Sequence, residues 1–191
     1  MTKTDNFARV EVTSEPALWA WLAANHTQSD SVWLVTWKKP SPHYLSTGHV
    51  LDALIAHGWI DGIRRKHEDP ARTMQLIAPR KMQAWAQSYK DRVVKLREEG
   101  RMRDAGEAAI AASVKSGMWD FYADVDALIQ PPDLNEALDA HRARDGFETA
   151  SPSYRRNVLR WIKLARTPAT RSKRISAAAD AAQSGERLPQ M

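Results

Sequence analysis

Gly58-Trp59-Ile60-Asp61-Gly62-Ile63-Arg64-Arg65-Lys66 and, a few residues on, Arg72-Thr73-Met74-Gln75-Leu76-Ile77-Ala78 decide the fold. Glu68-Asp69-Pro70 between them is turn chemistry, so the stretch predicts two strands, 59–66 and 72–78, paired around that turn. The competing hairpin turns at Asp61-Gly62, a good turn dipeptide. It leaves only Trp59 and Ile60 for its first strand and ranks second. Upstream, Val32-Trp33-Leu34-Val35-Thr36-Trp37 is dense in β-branched and aromatic residues and predicts a strand over 31–39, stopped by Pro40 and Pro42. Together these give a small, three-stranded, antiparallel sheet.

Helices are expected around it. Ser14-Glu15-Pro16 offers a cap and a first-turn proline for a helix to about Asn25, with Leu18, Trp21 and Leu22 as its buried stripe. A second runs from about Thr47 to Ala56 and ends at Gly58. Met82, Trp85, Tyr89, Val93 and Leu96 lie on one face at helical period, so a long helix is expected from Pro79 to Glu99. Asp104 with Glu107 resembles a capping box for the next helix, which Gly117 ends. Asp133 should cap a short helix after Pro131-Pro132. Ser151-Pro152 and Thr167-Pro168 should start two more, the last reaching about Gln183. The chain therefore reads as α+β, with an N-terminal α+β part over 1–130 and a helical part over 131–191. The short connection at Pro131-Pro132 and the eight tryptophans lead us to expect one shared core.

Composition narrows the function classes. Across the 191 residues there is no cysteine, which removes disulfides, thiol catalysis and cysteine-ligated metals. No apolar run approaches the roughly 20 residues of a membrane span, and the N-terminus lacks signal-peptide organisation, so a cytoplasmic protein is expected. The net charge of +5 makes anionic partners plausible. Its cations are interleaved with apolar residues, as on a solvated face.

The candidate site is the cluster Trp59, Asp61, Arg80, Trp85 with Lys38. Strand alternation puts Trp59, Asp61 and Ile63 on one face and Ile60, Gly62 and Arg64 on the other. In the functional reading Arg80 and Lys38 hold a small anion, an indole stacks on it, and Asp61 orients it or acts as a base. The start of the expected 79–99 helix adds to that reading, because helix N-termini favour anions. In the structural reading, Asp61 and Arg80 pin a helix start to the sheet and the indoles are core. His57, Asp61, His67 and Asp69 match no metal spacing, the serines have no nucleophile elbow, and there is no phosphate loop. No metal or cofactor is expected. Arg156, Arg160 and Lys163, with Arg171 and Arg174, could contact nucleic acid or an anionic membrane surface, although Arg171 could equally pair with Asp133 or Glu136. A nucleic-acid partner ranks well below a small anion.

The residues from Trp33 to Lys39, Gly58-Trp59-Ile60-Asp61-Gly62, Pro79-Arg80-Lys81, Trp85, Arg92-Val93, Leu96 and Gly100-Arg101-Met102 resemble the YdeI/OmpD-associated, or bacteriocin-protection, family. So do Pro132-Asp133-Leu134, Ala137-Leu138, Phe147-Glu148, Ser151-Pro152-Ser153, Trp161-Ile162, Ala165-Arg166, Thr170-Arg171 and Arg174-Ile175. The resemblance covers nearly the whole chain. It implies a cytoplasmic bacterial protein tied by name to resistance against antimicrobial peptides or bacteriocins, with no established reaction. The chain departs from the family pattern at Leu76-Ile77-Ala78 and at Gln83, Ala86 and Tyr89. The leading expectation is a stress-resistance protein that binds a small anionic ligand or a protein partner. The alternatives are an enzyme acting on a phosphate- or carboxylate-bearing metabolite with Asp61 as base, and an electrostatic nucleic-acid or membrane-surface binder. Oligomeric state is not encoded in any feature of the sequence.

Overall fold

A computed structural model describes residues 6–189. The chain divides into two compact units, Met1–Asp120 and Phe121–Met191. The fold is α+β, as the residue pattern predicts: sheet and flanking helices lie in the N-terminal half, and the C-terminal half is mostly helical.

The first unit contains strands β1 (Arg9–Glu11), β2 (Val32–Trp37), β3 (Trp59–Lys66) and β4 (Arg72–Pro79), in the order β1-β2-β4-β3. The expected hairpin around Glu68-Asp69-Pro70 is β3–β4, and both β2 and β3 run antiparallel to β4. The sheet has a fourth strand beyond the expected three. It is β1, parallel to β2 with Val10 opposite Leu34. Its three residues are too few for a period-2 pattern to register.

Helix α1 (Glu15–Asn25) is capped by Ser14, whose Oγ accepts the Ala17 N–H at 3.3 Å. Helix α2 (Thr47–Ala56) is capped in the same way by Ser46, here accepting the His49 N–H at 3.1 Å. Leu18 and Leu22 of α1 and Val50, Ala53 and Leu54 of α2 form a core with Val32, Leu34, Trp59 and Ile77 of the sheet. These sheet residues share one face, since Val32 opposes Ile77 and Leu34 opposes Gln75. The other face carries Trp33, Val35 and Met74.

Helix α3 (Gln87–Glu98) is shorter than the expected 79–99 helix. Pro79 ends β4 instead of opening a helix, and residues 80–86 are irregular. The reason is local. Arg80 Nη1 donates to the carbonyls of Gln83 (3.0 Å) and Ala84 (3.4 Å), while the Trp85 N–H is bonded to Met118 O, so a helical ladder cannot start there. Met82, expected on the apolar stripe, is 65% exposed. Helix α4 (Asp104–Lys115) follows. Its N-cap is Arg103 with no side-chain cap, so Asp104 and Glu107 form no capping box, and the Glu107 carboxylate is bound by Arg97 instead. Between α2 and α3, Asp52 is buried and held by Arg92 at 2.5 Å and Lys95 at 3.3 Å.

The second unit contains α5 (Ala123–Asp126), α6 (Pro132–Ala140), α7 (Arg144–Glu148), α8 (Pro152–Lys163) and α9 (Pro168–Ser184). Ser151 and Thr167 cap α8 and α9 as their sequence predicts. At α6 the cap position is Pro131, and Asp133 sits inside the first turn, accepting the Leu134 N–H.

Candidate functional site

A β-bulge shapes the site. In β3, Asp61 lies opposite Ile77 but Arg64 lies opposite Gln75, so one extra residue is inserted around Gly62. Ile77 and Gln75 are two apart on β4 and share a face. The bulge therefore brings Arg64 onto the same face as Asp61, where simple alternation places it on the opposite one. The mark of this in the sequence is a glycine inside a strand run, which signals a bulge.

On that face a chain of hydrogen bonds runs from α2 to α3. Arg64 Nη2 donates to Thr47 Oγ1 at 3.4 Å and to Gln75 Oε1 at 3.0 Å. Gln75 Nε2 donates to Asp61 Oδ2 at 3.1 Å, and the Tyr89 hydroxyl donates to Asp61 Oδ1. Burial, followed by the bond to Asp61, pushes the Tyr89 phenol up, so it remains a neutral donor.

Beside this chain lies a pocket of about 400 Å3. Thr36, Thr73, Gln75 and Arg64 of the sheet form one side. Lys38, Lys39, Tyr44 and Leu45 follow β2, and Thr47 and Val50 come from α2. Its lining includes three cations, three threonine hydroxyls, Trp37 and no carboxylate. Thr36 is only 8% exposed, and its hydroxyl has no hydrogen-bond partner among the described residues. Lys38 Nζ is steadied by the Pro70 carbonyl at 2.9 Å.

Of the five candidate residues, Lys38 lines this pocket and Asp61 adjoins it through Gln75. Trp59 is 1% exposed and meets Trp21 edge-on in the core. Trp85 is equally buried, and its Nε1 donates to Ser113 Oγ at 2.8 Å. Arg80 stacks on Trp85, 3.8 Å from the ring centre, and on Tyr89 at 5.5 Å. Burial lowers its pKa to about 10, against the opposing influence of Tyr89 and Asp61. Both carboxylate oxygens of Asp61 accept hydrogen bonds, and Asp61 is not part of the pocket lining. Sequence reasoning does not single out Thr36, Thr47, Thr73, Arg64 or Gln75. Threonines within strands or at a helix start carry no local mark of a site, and strand alternation alone puts Arg64 on the wrong face.

Elsewhere, Lys163 pairs with Asp124 at 2.6 Å and Arg160 approaches Asp126 at 4.0 Å. Arg171 and Asp133 form the anticipated cross-helix pair, bidentate at 2.6 and 2.8 Å. No group of three or more His, Asp or Glu among the described residues is placed to hold a metal ion, and no described helix is long and apolar enough to cross a membrane.

The fold and pocket define a class: an α+β protein with a cation-lined pocket beside a bulged antiparallel hairpin. The chain belongs to the family described as a domain of unknown function (DUF8412), whose model matches residues 10–109. Residues 127–185 match the family model described as bacteriocin-protection, YdeI or OmpD-associated. The resemblance to that family is thus met in the C-terminal part, while the Gly58–Gly62 motif lies within the other match. No curated protein and no solved structure matches the chain.

Proposed function

We propose that this protein binds a small organic anion, a carboxylate or a phosphate monoester, in the pocket between β2, β4 and the start of α2. The observation that carries this reading is the pocket's lining, in which Lys38, Lys39 and Arg64 share one space with the hydroxyls of Thr36, Thr47 and Thr73 and no carboxylate. Hydroxyls that open onto such a pocket can donate hydrogen bonds to an anion. An uncompensated cluster of cations is relieved by an anion. Trp37, Tyr44, Leu45 and Val50 supply apolar surface for an organic part, and the volume suits a small molecule. The description of the family matched by residues 127–185 supports a role in protection against bacteriocins, with the cytoplasm as the proposed setting.

The test is calorimetric titration with phenyl phosphate, benzoate and inorganic phosphate. Binding of the first two, ordered by charge, separates a phosphate site from a carboxylate site. Thr36→Val should weaken the better ligand about fivefold, one neutral hydrogen bond's worth. Arg64→Ala should weaken it more. Heat signals from none of the three at millimolar concentration would overturn the reading.

A further inference from the structure

We infer that Asp61 is a positioning residue for this pocket: it fixes the Gln75 amide so that Gln75 in turn holds Arg64 toward the anion. This rests on the anion-pocket reading above. An ionised carboxylate only accepts hydrogen bonds and a guanidinium only donates them. Gln75 lies between the two, 5% exposed, with Nε2 on Asp61 and Oε1 on Arg64. Flipping its amide would set oxygen against carboxylate and N–H against guanidinium. Both contacts would be repulsive where little water can compensate. Asp61 therefore selects one of two amide orientations. That orientation, with Thr47, ties down Nη2 of Arg64 and leaves its other donors without partners among the described residues. Tyr89 holds the far oxygen of Asp61, so the carboxylate cannot swing away.

The relay has a sign that simple electrostatics does not share. Removing the negative charge of Asp61 should tighten anion binding through space. If Asp61 works through Gln75 and Arg64, Asp61→Asn weakens it, because an asparagine amide can meet Gln75 in either orientation and only Arg64 itself is left to oppose the flip.

Titrations with phenyl phosphate and benzoate on wild type, Asp61→Asn, Arg64→Ala and the double variant decide between them. We expect Asp61→Asn to weaken the better ligand about tenfold, the loss of a charge-assisted contact. The same change should have no further effect in the Arg64→Ala background. Gln75→Met, which keeps length but removes the amide, should reproduce the loss and serves as the test if Asp61→Asn does not fold. Wild-type binding with unchanged or tighter binding in Asp61→Asn overturns the relay and leaves the pocket standing. An equal loss with and without Arg64 overturns it as well. Failure of the wild type to bind either compound overturns the pocket reading, and the relay with it.

Discussion

The guanidinium of Arg80 lies 3.8 Å from the ring centre of Trp85 and directs one nitrogen to the carbonyls of Gln83 and Ala84. The pair closes the 80–86 segment onto itself. Arg80 is 8% exposed and Trp85 is anchored to Ser113 of α4, so the stack belongs to the packing between sheet and helix.

Arg80→Ala should therefore destabilise the protein by about 3 kcal/mol, combining a lost buried cation–π contact with carbonyls left without a donor. Anion affinity should stay within a factor of about two, since Arg80 does not line the pocket. Arg80→Lys should recover less than half of the stability, because an ammonium cannot reproduce the planar stack together with the fork to two carbonyls. Urea unfolding gives the first quantity and calorimetry the second. A variant of wild-type stability that has lost anion binding would move the ligand site to Arg80.

The same segment shows where the sequence can and cannot be read. Trp85, Tyr89, Val93 and Leu96 keep helical spacing. Trp85, Val93 and Leu96 share one core with Ile110 of α4, and Tyr89 packs against it. Met82 extends that pattern by coincidence, and Pro79, a residue suited to opening a helix, ends a strand here. What decides the matter is a contact across the chain, Trp85 N–H to Met118 O, which no local pattern encodes. Glu68-Asp69-Pro70, Ser151-Pro152 and Thr167-Pro168 are legible because cap and turn chemistry is local. The bulge at Gly62 is an intermediate case: its glycine is visible, but its effect on Arg64 depends on the register with β4. Most of the pocket is illegible for that reason, since its members converge from β2, β3, β4 and α2.

His57 gives a pH-dependent prediction. It is 3% exposed, its Nδ1 is bonded to the Ala53 carbonyl at 2.8 Å, and it meets Trp19 edge-on. Burial lowers its pKa from the ordinary 6.5, and Arg103 and His26 lower it further against the pull of the Ala53 bond. The folded state thus takes up a proton at lower pH than the unfolded chain does. Stability is fully present above about pH 6.5 and falls as the pH drops below it, by at most about 1.4 kcal/mol per pH unit for one proton. Denaturant titrations from about pH 7.5 to about pH 5, spanning that range, should show this slope in wild type and a shallower one in His57→Gln, whatever the variant's stability at neutral pH. Identical slopes would mean that His57 is not the group responsible.

The close approach of α4 to the end of α2 makes the last prediction. A Cβ added at Gly106 would lie 2.3 Å from the Ala56 carbonyl oxygen, inside any real contact, and the atom in the way is backbone. α2 also contributes Thr47 and Val50 to the pocket, so displacing it is felt at the anion site. Gly106→Ala should cost about 3 kcal/mol, the upper end of overpacking, and should weaken anion binding as well. Gly100→Ala is the control. That glycine has φ +65° with nothing within 4 Å of an added Cβ, so only conformational strain is expected there. Such strain costs about 1 kcal/mol and should leave binding unchanged. If Gly106→Ala is no more costly than Gly100→Ala, the two helices are not packed as closely as the backbone contact requires. Loss of stability at Gly106 with unchanged affinity would instead show that α2 yields at its C-terminal end without moving Thr47.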